Sequence, residues 1–219
     1  MSPPRQFYWK GMHVPFITPW TGEQAQPGTV VLRTGRGGQG IGYADELSHI
    51  DRRYEALWIR RAAVRGLGKP DLAAVHPYRQ RQAMSHMLCQ VCGTSTFGRA
   101  DERHLFLTRS ADGRPISEGE QATTPPVCEP CAVESVGACP HLRKGYTAAL
   151  VERAQMWGVA GLVHDPGTLA PVHGPEDQPV AVSLDSPLIR WTLAACTVVT
   201  LHGCTTVDLK HLTTQKATA

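Results

Sequence analysis

Two cysteine pairs constrain this chain more than any other feature. Cys89-x-x-Cys92 and Cys128-x-x-Cys131 are separated by 35 residues that begin with Gly93. Two residues between cysteines let one tight turn aim both thiolates at a common point. Gly93, directly after the first pair, suits the left-handed backbone that closes such a turn. The second pair follows Pro125-Pro126 and opens a predicted helix, where unsatisfied N–H groups stabilise thiolate charge. Four sulfurs at this spacing predict a closed, tetrahedral, structural Zn2+ site made by Cys89, Cys92, Cys128 and Cys131. An iron–sulfur cluster is the other metal centre that four thiolates support. Chance burial of two cysteine pairs is the alternative to any metal.

The metal reading depends on the thiols staying reduced. Met1-Ser2-Pro3-Pro4-Arg5 leads into no apolar run of signal-peptide length. No stretch approaches the roughly 20 apolar residues of a membrane span. The longest apolar-rich segment, 188–201, is interrupted by Arg190 and three Thr. A cytoplasmic protein with no membrane contact is therefore expected, and there paired cysteines read as metal ligands rather than disulfides.

A chain of 219 residues with 42% apolar content can bury a real core, as one elaborated domain or two modest lobes. The net charge of +3 is too small to identify a nucleic-acid partner by itself. There is no Asn, and Arg outnumbers Lys by 17 to 5. That bias suits a coding sequence rich in G and C, of bacterial or phage origin. It also warns against reading arginine content as function.

Local patterns place the cysteines on elements. Residues 1–28 lack periodicity and read as an irregular arm that packs its aromatics on the body. Residues 29–34 form a strand, 35–42 a glycine-rich turn or loop, and 54–60 a strand or short helix. Residues 77–88 are helical, with Pro77 in the first turn, Met84, Met87 and Leu88 facing inward, and Arg79 and Arg81 solvated. Residues 104–109 are a strand and 110–127 a loop. A short helix spans 129–138. Two strands lie between 146 and 163, separated near Trp157-Gly158, and 164–179 is a loop. Residues 180–184 are a strand. Residues 187–201 read as a buried helix, although their Thr-Val-Val-Thr run favours a strand. Residues 205–209 are the last strand, and the tail from Thr213 should fray.

A cysteine knuckle, a strand, then a helix carrying the second pair resembles the treble-clef zinc finger. The resemblance covers about residues 86–142 and rests on the two pairs and Gly93. Treble clefs contact nucleic acid or protein and, in HNH-type endonucleases, cleave phosphodiesters. For a nuclease of that kind the resemblance implies a catalytic His on the strand after the knuckle, where His104 stands. It also implies an Asn in the loop, which this chain lacks, and a His or Asn on the helix, which offers Ala132, Glu134 and Ser135 instead.

Other signals are weaker. Cys139-Pro140-His141 is a possible additional ligand pair, but Cys139 would lie about 16 Å along a straight helix from Cys128, at about 1.5 Å per residue. A second site would need two more ligands, from among His86, His104, Cys196, His202 and Cys204. A packed cysteine and a helix-capping histidine are the simpler reading. Gly35-x-Gly37-x-x-Gly40 matches a dinucleotide fingerprint in form, but no helix start follows it, so a hairpin or loop is expected. Arg52, Arg53, Arg60, Arg61, Arg65, Lys69, Arg79 and Arg81 precede the cysteines, and Arg143 and Lys144 follow them. Gathered on one face they could meet phosphates; a solvated face is expected. His13, His49, His164 and His173 read as surface histidines, and Cys196 and Cys204 as buried thiols.

The sequence thus predicts an α+β protein with a treble-clef-like zinc module at 76–145. An irregular or β segment at 1–75 and a β/α segment at 146–219 flank it, and all three pack as one unit. Its function is expected to be a non-catalytic accessory or regulatory role, with the module contacting nucleic acid or a protein partner. The alternative is an enzyme with an unrecognised site, such as a degenerate HNH-like nuclease using His104, Glu134 or Cys139-His141.

Overall fold

The computed structural model describes residues 4–35, 37–172 and 178–210, the side chains of residues 48 and 49 apart. The expected frayed tail and His173 lie outside the described residues, as does the side chain of His49. The described part of the first segment, residues 4–28, is largely irregular, as expected, apart from a short hairpin of β1 (Tyr8–Trp9) and β2 (Met12–His13). β3 (Val30–Gly35) pairs antiparallel with β4 (Gly38–Tyr43), so the glycine cluster is the turn and return strand of a hairpin. One turn of helix, α1 (Ser48–Asp51), enters β5 (Arg52–Arg53), which turns back through Tyr54 and Glu55 into β6 (Ala56–Trp58). Then come α2 (Pro77–Ser85), β7 (His104–Arg109), β8 (Gln121–Ala122) and α3 (Glu129–Ala138). A 3-10 turn at Leu142–Lys144 leads to β9 (Tyr146–Val151), β10 (Arg153–His164), β11 (Pro171–Val172) and β12 (Val180–Ser183). A second 3-10 turn, Pro187–Trp191, precedes β13 (Thr192–His202) and β14 (Thr205–Thr206). The chain is α+β with few helices.

The long antiparallel pair of β10 and β13 is the spine of a seven-stranded sheet. β12 and β11 pair with β10, β8 pairs with β13, and β6 joins β13 in parallel, with β5 outside it. Residues 192–201 are a strand and not the buried helix expected after Pro187. Ser186 Oγ accepts from Leu188 N and caps only the short 3-10 turn. Beyond it, Thr192, Thr197, Val198, Val199 and Thr200 are β-branched, and pairing with β10 fixes them as strand. Between β9 and β10 the chain breaks at Glu152; Trp157-Gly158 falls inside β10, at a register shift. At a second shift Gly161 passes so close to β13 that a Cβ there would lie 2.1 Å from the Leu193 carbonyl oxygen.

A second sheet, in the order β14-β9-β7, lies beside the cysteines. The two sheets share a core: Met84, Phe106, Ala149, Val151, Val199 and Leu201 pack together, drawn from α2 and from both sheets. Polar bridging adds to it. The buried Gln80 donates from Nε2 to the carbonyls of Thr123 and Thr197 at 2.7 and 2.9 Å, and its Oε1 accepts from Thr197 N at 2.9 Å.

The expectation of solvated arginines on α2 fails. Arg79 is buried and grips the fully buried Glu23, from Nη1 at 2.5 Å and from Nη2 at 2.6 Å. Its Nη2 also donates to Thr18 O at 2.7 Å. Arg81 is half-buried and lies on the Trp58 ring. Met84 points inward as expected, while Met87 and Leu88 are half-buried beyond the end of the helix.

Candidate metal centre

The sulfurs of Cys89, Cys92, Cys128 and Cys131 lie within 4.8 Å of one another. Cys89 and Cys92 sit on a knuckle that closes on itself: Gly93 N donates to Cys89 O at 2.8 Å and Cys89 N to Thr94 O at 2.7 Å. Gly93 has φ +73, the left-handed conformation the sequence called for. Cys128 is the N-cap of α3, and Cys131 lies in its first turn. Two bonds fasten the approach to this helix: Gln90 N donates to Pro126 O at 2.9 Å, and Val127 N to Leu105 O at 2.8 Å.

The four thiols behave as one unit. The Cys89 thiol is pulled down to about 7, chiefly by its hydrogen bond with Cys128 and then by Cys131. Cys92 is lowered by Cys128, Cys131 and Cys89 in turn, with help from Thr94, whose hydroxyl lies 2.9 Å from its sulfur. Cys131 is raised by the same neighbours. Packing four thiols this closely makes charge on some of them costly unless a cation joins them.

The N-terminal segment covers the knuckle, which sequence reasoning missed. Phe16 N donates to Val91 O at 2.8 Å, Ile17 N to Gln90 O at 3.2 Å, and Gln6 Nε2 to Cys92 O at 3.0 Å. His13, expected on the surface, is turned inward: its ring nitrogens face Glu134 Oε2 at 3.1 Å and Gln6 Oε1 at 2.9 Å. His13, Glu134 and Cys131 form a second group of metal-capable atoms. It shares Cys131 with the first, so it surrounds that cysteine rather than making an independent site. Arg65 packs over Phe7 and Phe16 and donates to Arg5 O and Val14 O. Burial and then Arg79 push it down to about 10, while Glu23 and Cys92 pull it back up.

The remaining candidates do not gather. Cys139 caps the far end of α3 and His141 is exposed; neither belongs to a metal-capable group among the described residues. The same holds for His86, His104, Cys196, His202 and Cys204. His104 is buried, with Nδ1 2.8 Å from Thr96 Oγ1 and its ring against Phe97. Burial lowers its pKa. His164, read as a surface histidine, is buried at the end of β10, with Nδ1 2.8 Å from Leu169 O. Cys196 and Cys204 are half-buried; burial raises both thiols, Cys196 to about 11. No helix is long and apolar enough to cross a membrane among the described residues.

No protein-family model matches the chain, and no curated protein or solved structure matches it either.

Proposed function

We propose that this chain is a non-catalytic accessory protein, stapled by one structural zinc ion, that works by contact with nucleic acid. The observation that carries the structural-zinc reading is the closed four-cysteine set under its own covering arm. Four zinc–sulfur bonds of about 2.3 Å in tetrahedral array put the sulfurs about 3.8 Å apart. Cys92 Sγ and Cys128 Sγ are 3.8 Å apart. Four thiolates on a divalent ion carry a net charge of about −2. Arg65, half-buried over Phe16 without a carboxylate partner among the described residues, supplies charge of the opposite sign. When bound, zinc contributes folding energy, about 10–16 kcal/mol in small zinc modules at neutral pH. Four protein ligands leave it no position for substrate or water.

In this reading the knuckle, β7, β9 and α3 make a treble-clef-like module. The arm fills the knuckle's outer face, so partner contact falls elsewhere on the surface. The nuclease alternative gains nothing from the geometry. His104 is covered by Phe97 and tied to Thr96, and among the described residues no second ligand stands within metal-binding distance of it.

The test is incubation of the zinc-loaded protein with labelled DNA and RNA in magnesium, followed by recovery of the bound strands. The account predicts that strands are retained and come back intact. Cleavage that disappears in His104→Ala would contradict it.

A further inference from the structure

A cleft of about 380 Å³ lies away from the cysteines, between α2 and the segment from Asp45 to Arg61. Arg81 and Tyr78, one helical turn apart on α2, line it together with Leu47, Ile50 and the buried Trp58. Asp45 and Asp51 line it too, their charge met by Arg60. Four features of the cleft point to a ligand.

First, one lining arginine, Arg81, has no carboxylate partner among the described residues, whereas Arg60, which also lines the cleft, is tied to Asp45 and Asp51. Arg33, Arg52, Arg60, Arg79, Arg99, Arg103, Arg114 and Arg190 each pair with a carboxylate. Arg81 and its neighbour Arg53 have none among the described residues. Arg81 instead lies 4.5 Å from the Trp58 ring centre and 5.7 Å from that of Tyr78, and Arg53 lies 5.2 Å from that of Tyr54. A guanidinium flat against an aromatic face keeps its N–H edge for an anion.

Second, the two cations repel. Burial and then Arg53 push Arg81 below the usual guanidinium range. An anion between them would relieve both effects.

Third, two tyrosine rings are open to solvent. Tyr78 is 51% exposed and Tyr54 38%. Leu47 and Ile50 are exposed as well.

Fourth, the turn presenting Tyr54 is strained. Tyr54 and Glu55 have φ of +53 and +65 in a two-residue hairpin turn that favours Asn-Gly. Each costs roughly 1–2 kcal/mol in an L-residue. The turn sets the Tyr54 ring beside Arg53 and Arg81, and strain of this kind clusters where a ligand is held.

We infer that this cleft seats an unpaired base of a single-stranded nucleic acid against Tyr78, with the flanking phosphates on Arg81 and Arg53. The inference rests on the reading of the chain as a contact protein and adds where contact is made and with which form of nucleic acid. An acidic peptide would satisfy the guanidinium groups but would leave the tyrosine faces without a flat partner. A duplex keeps its base faces stacked inside and has none to insert.

Fluorescence anisotropy with labelled single-stranded DNA and RNA 15-mers of mixed sequence tests the inference. The variants are Arg81→Gln, Arg53→Gln and Tyr78→Ala, with Arg114→Gln, whose contacts are Ser117 and Glu120, as control. Arg53 and Tyr78 are exposed, so their variants keep the test informative if Arg81→Gln disturbs folding. Expected are weakening of about tenfold or more in Arg81→Gln and Tyr78→Ala, a loss of affinity at higher salt that is shallower in Arg53→Gln, and poorer binding of a duplex 15-mer. Undiminished binding in all three cleft variants would overturn the cleft assignment and leave nucleic-acid contact standing. Absence of any binding at low salt would overturn both. Competition by a glutamate-rich peptide equal to that of an unlabelled strand of the same charge would replace nucleic acid by an acidic protein partner.

Discussion

Replacing Arg79 by Met should destabilise the protein by about 3–5 kcal/mol at neutral pH, and the cost should shrink on mild acidification. Glu23 is fully buried, and its carboxylate is held by both Nη atoms of Arg79 and by Trp20 N at 2.8 Å. Burial raises its pKa, but those bonds outweigh burial and leave it below the ordinary 4.5. Without Arg79 the orphaned carboxylate either stays charged in the core, at several kcal/mol, or takes up a proton. Protonation is the cheaper route: about 1.36 kcal/mol per pH unit over about 2.5 units from 4.5 to pH 7 gives about 3.4 kcal/mol. At pH 5.5 the same route costs about 1.4 kcal/mol, so about 2 kcal/mol of the defect should vanish. The sign agrees with linkage. The native carboxyl is depressed, so the pair's stability is present above 4.5 and is lost as pH falls through the lower native value. Urea unfolding followed by tryptophan fluorescence at the two pH values measures this, beside Glu23→Leu with Arg79→Met. The double variant removes both charges and should recover most of the loss. A single variant within about 1 kcal/mol of wild type, or a cost equal at both pH values, would refute the reasoning.

Three further outcomes follow from packing. Gly93→Ala should cost about 1–2 kcal/mol for left-handed backbone, with an added clash because the new Cβ would sit 2.9 Å from Phe16 Cδ2; thermal melting should show a Tm lower by about 2–4 °C per kcal/mol. Gln80→Leu should lower stability by at least about 2 kcal/mol, because Thr123 and Thr197 lose their partners in the core, and the urea midpoint should fall with an unchanged slope. His13→Ala should cost about 1 kcal/mol through the arm while metal content stays the same; loss of metal would make His13 a ligand rather than part of the cover.

What the sequence made legible was what depends on near neighbours. The cysteine clustering, β7 and α3 were readable because spacing, Gly93 and the Pro-rich approach act within a few residues. Residues 192–201 were not, since an apolar run with Thr and Val suits a helix or a strand until β10 supplies a partner. The burial of Arg79 was hidden because Glu23 lies 56 residues away along the chain. The cover over the knuckle was hidden for the same reason: it is built from backbone bonds of Phe16 and Ile17, which leave no side-chain pattern. The arginines between 52 and 81 read alike in sequence. Only the fold separates Arg52, Arg60 and Arg79, which are spent on carboxylates, from Arg53 and Arg81, which lie on aromatic rings.

Metal content per chain tests the central claim most directly, measured by elemental mass spectrometry on protein purified without added metal. Cys89→Ser and Cys139→Ser variants are measured beside it. The account predicts one zinc, lost in Cys89→Ser and kept in Cys139→Ser. No metal, iron in place of zinc, or a zinc that depends on Cys139 would contradict it.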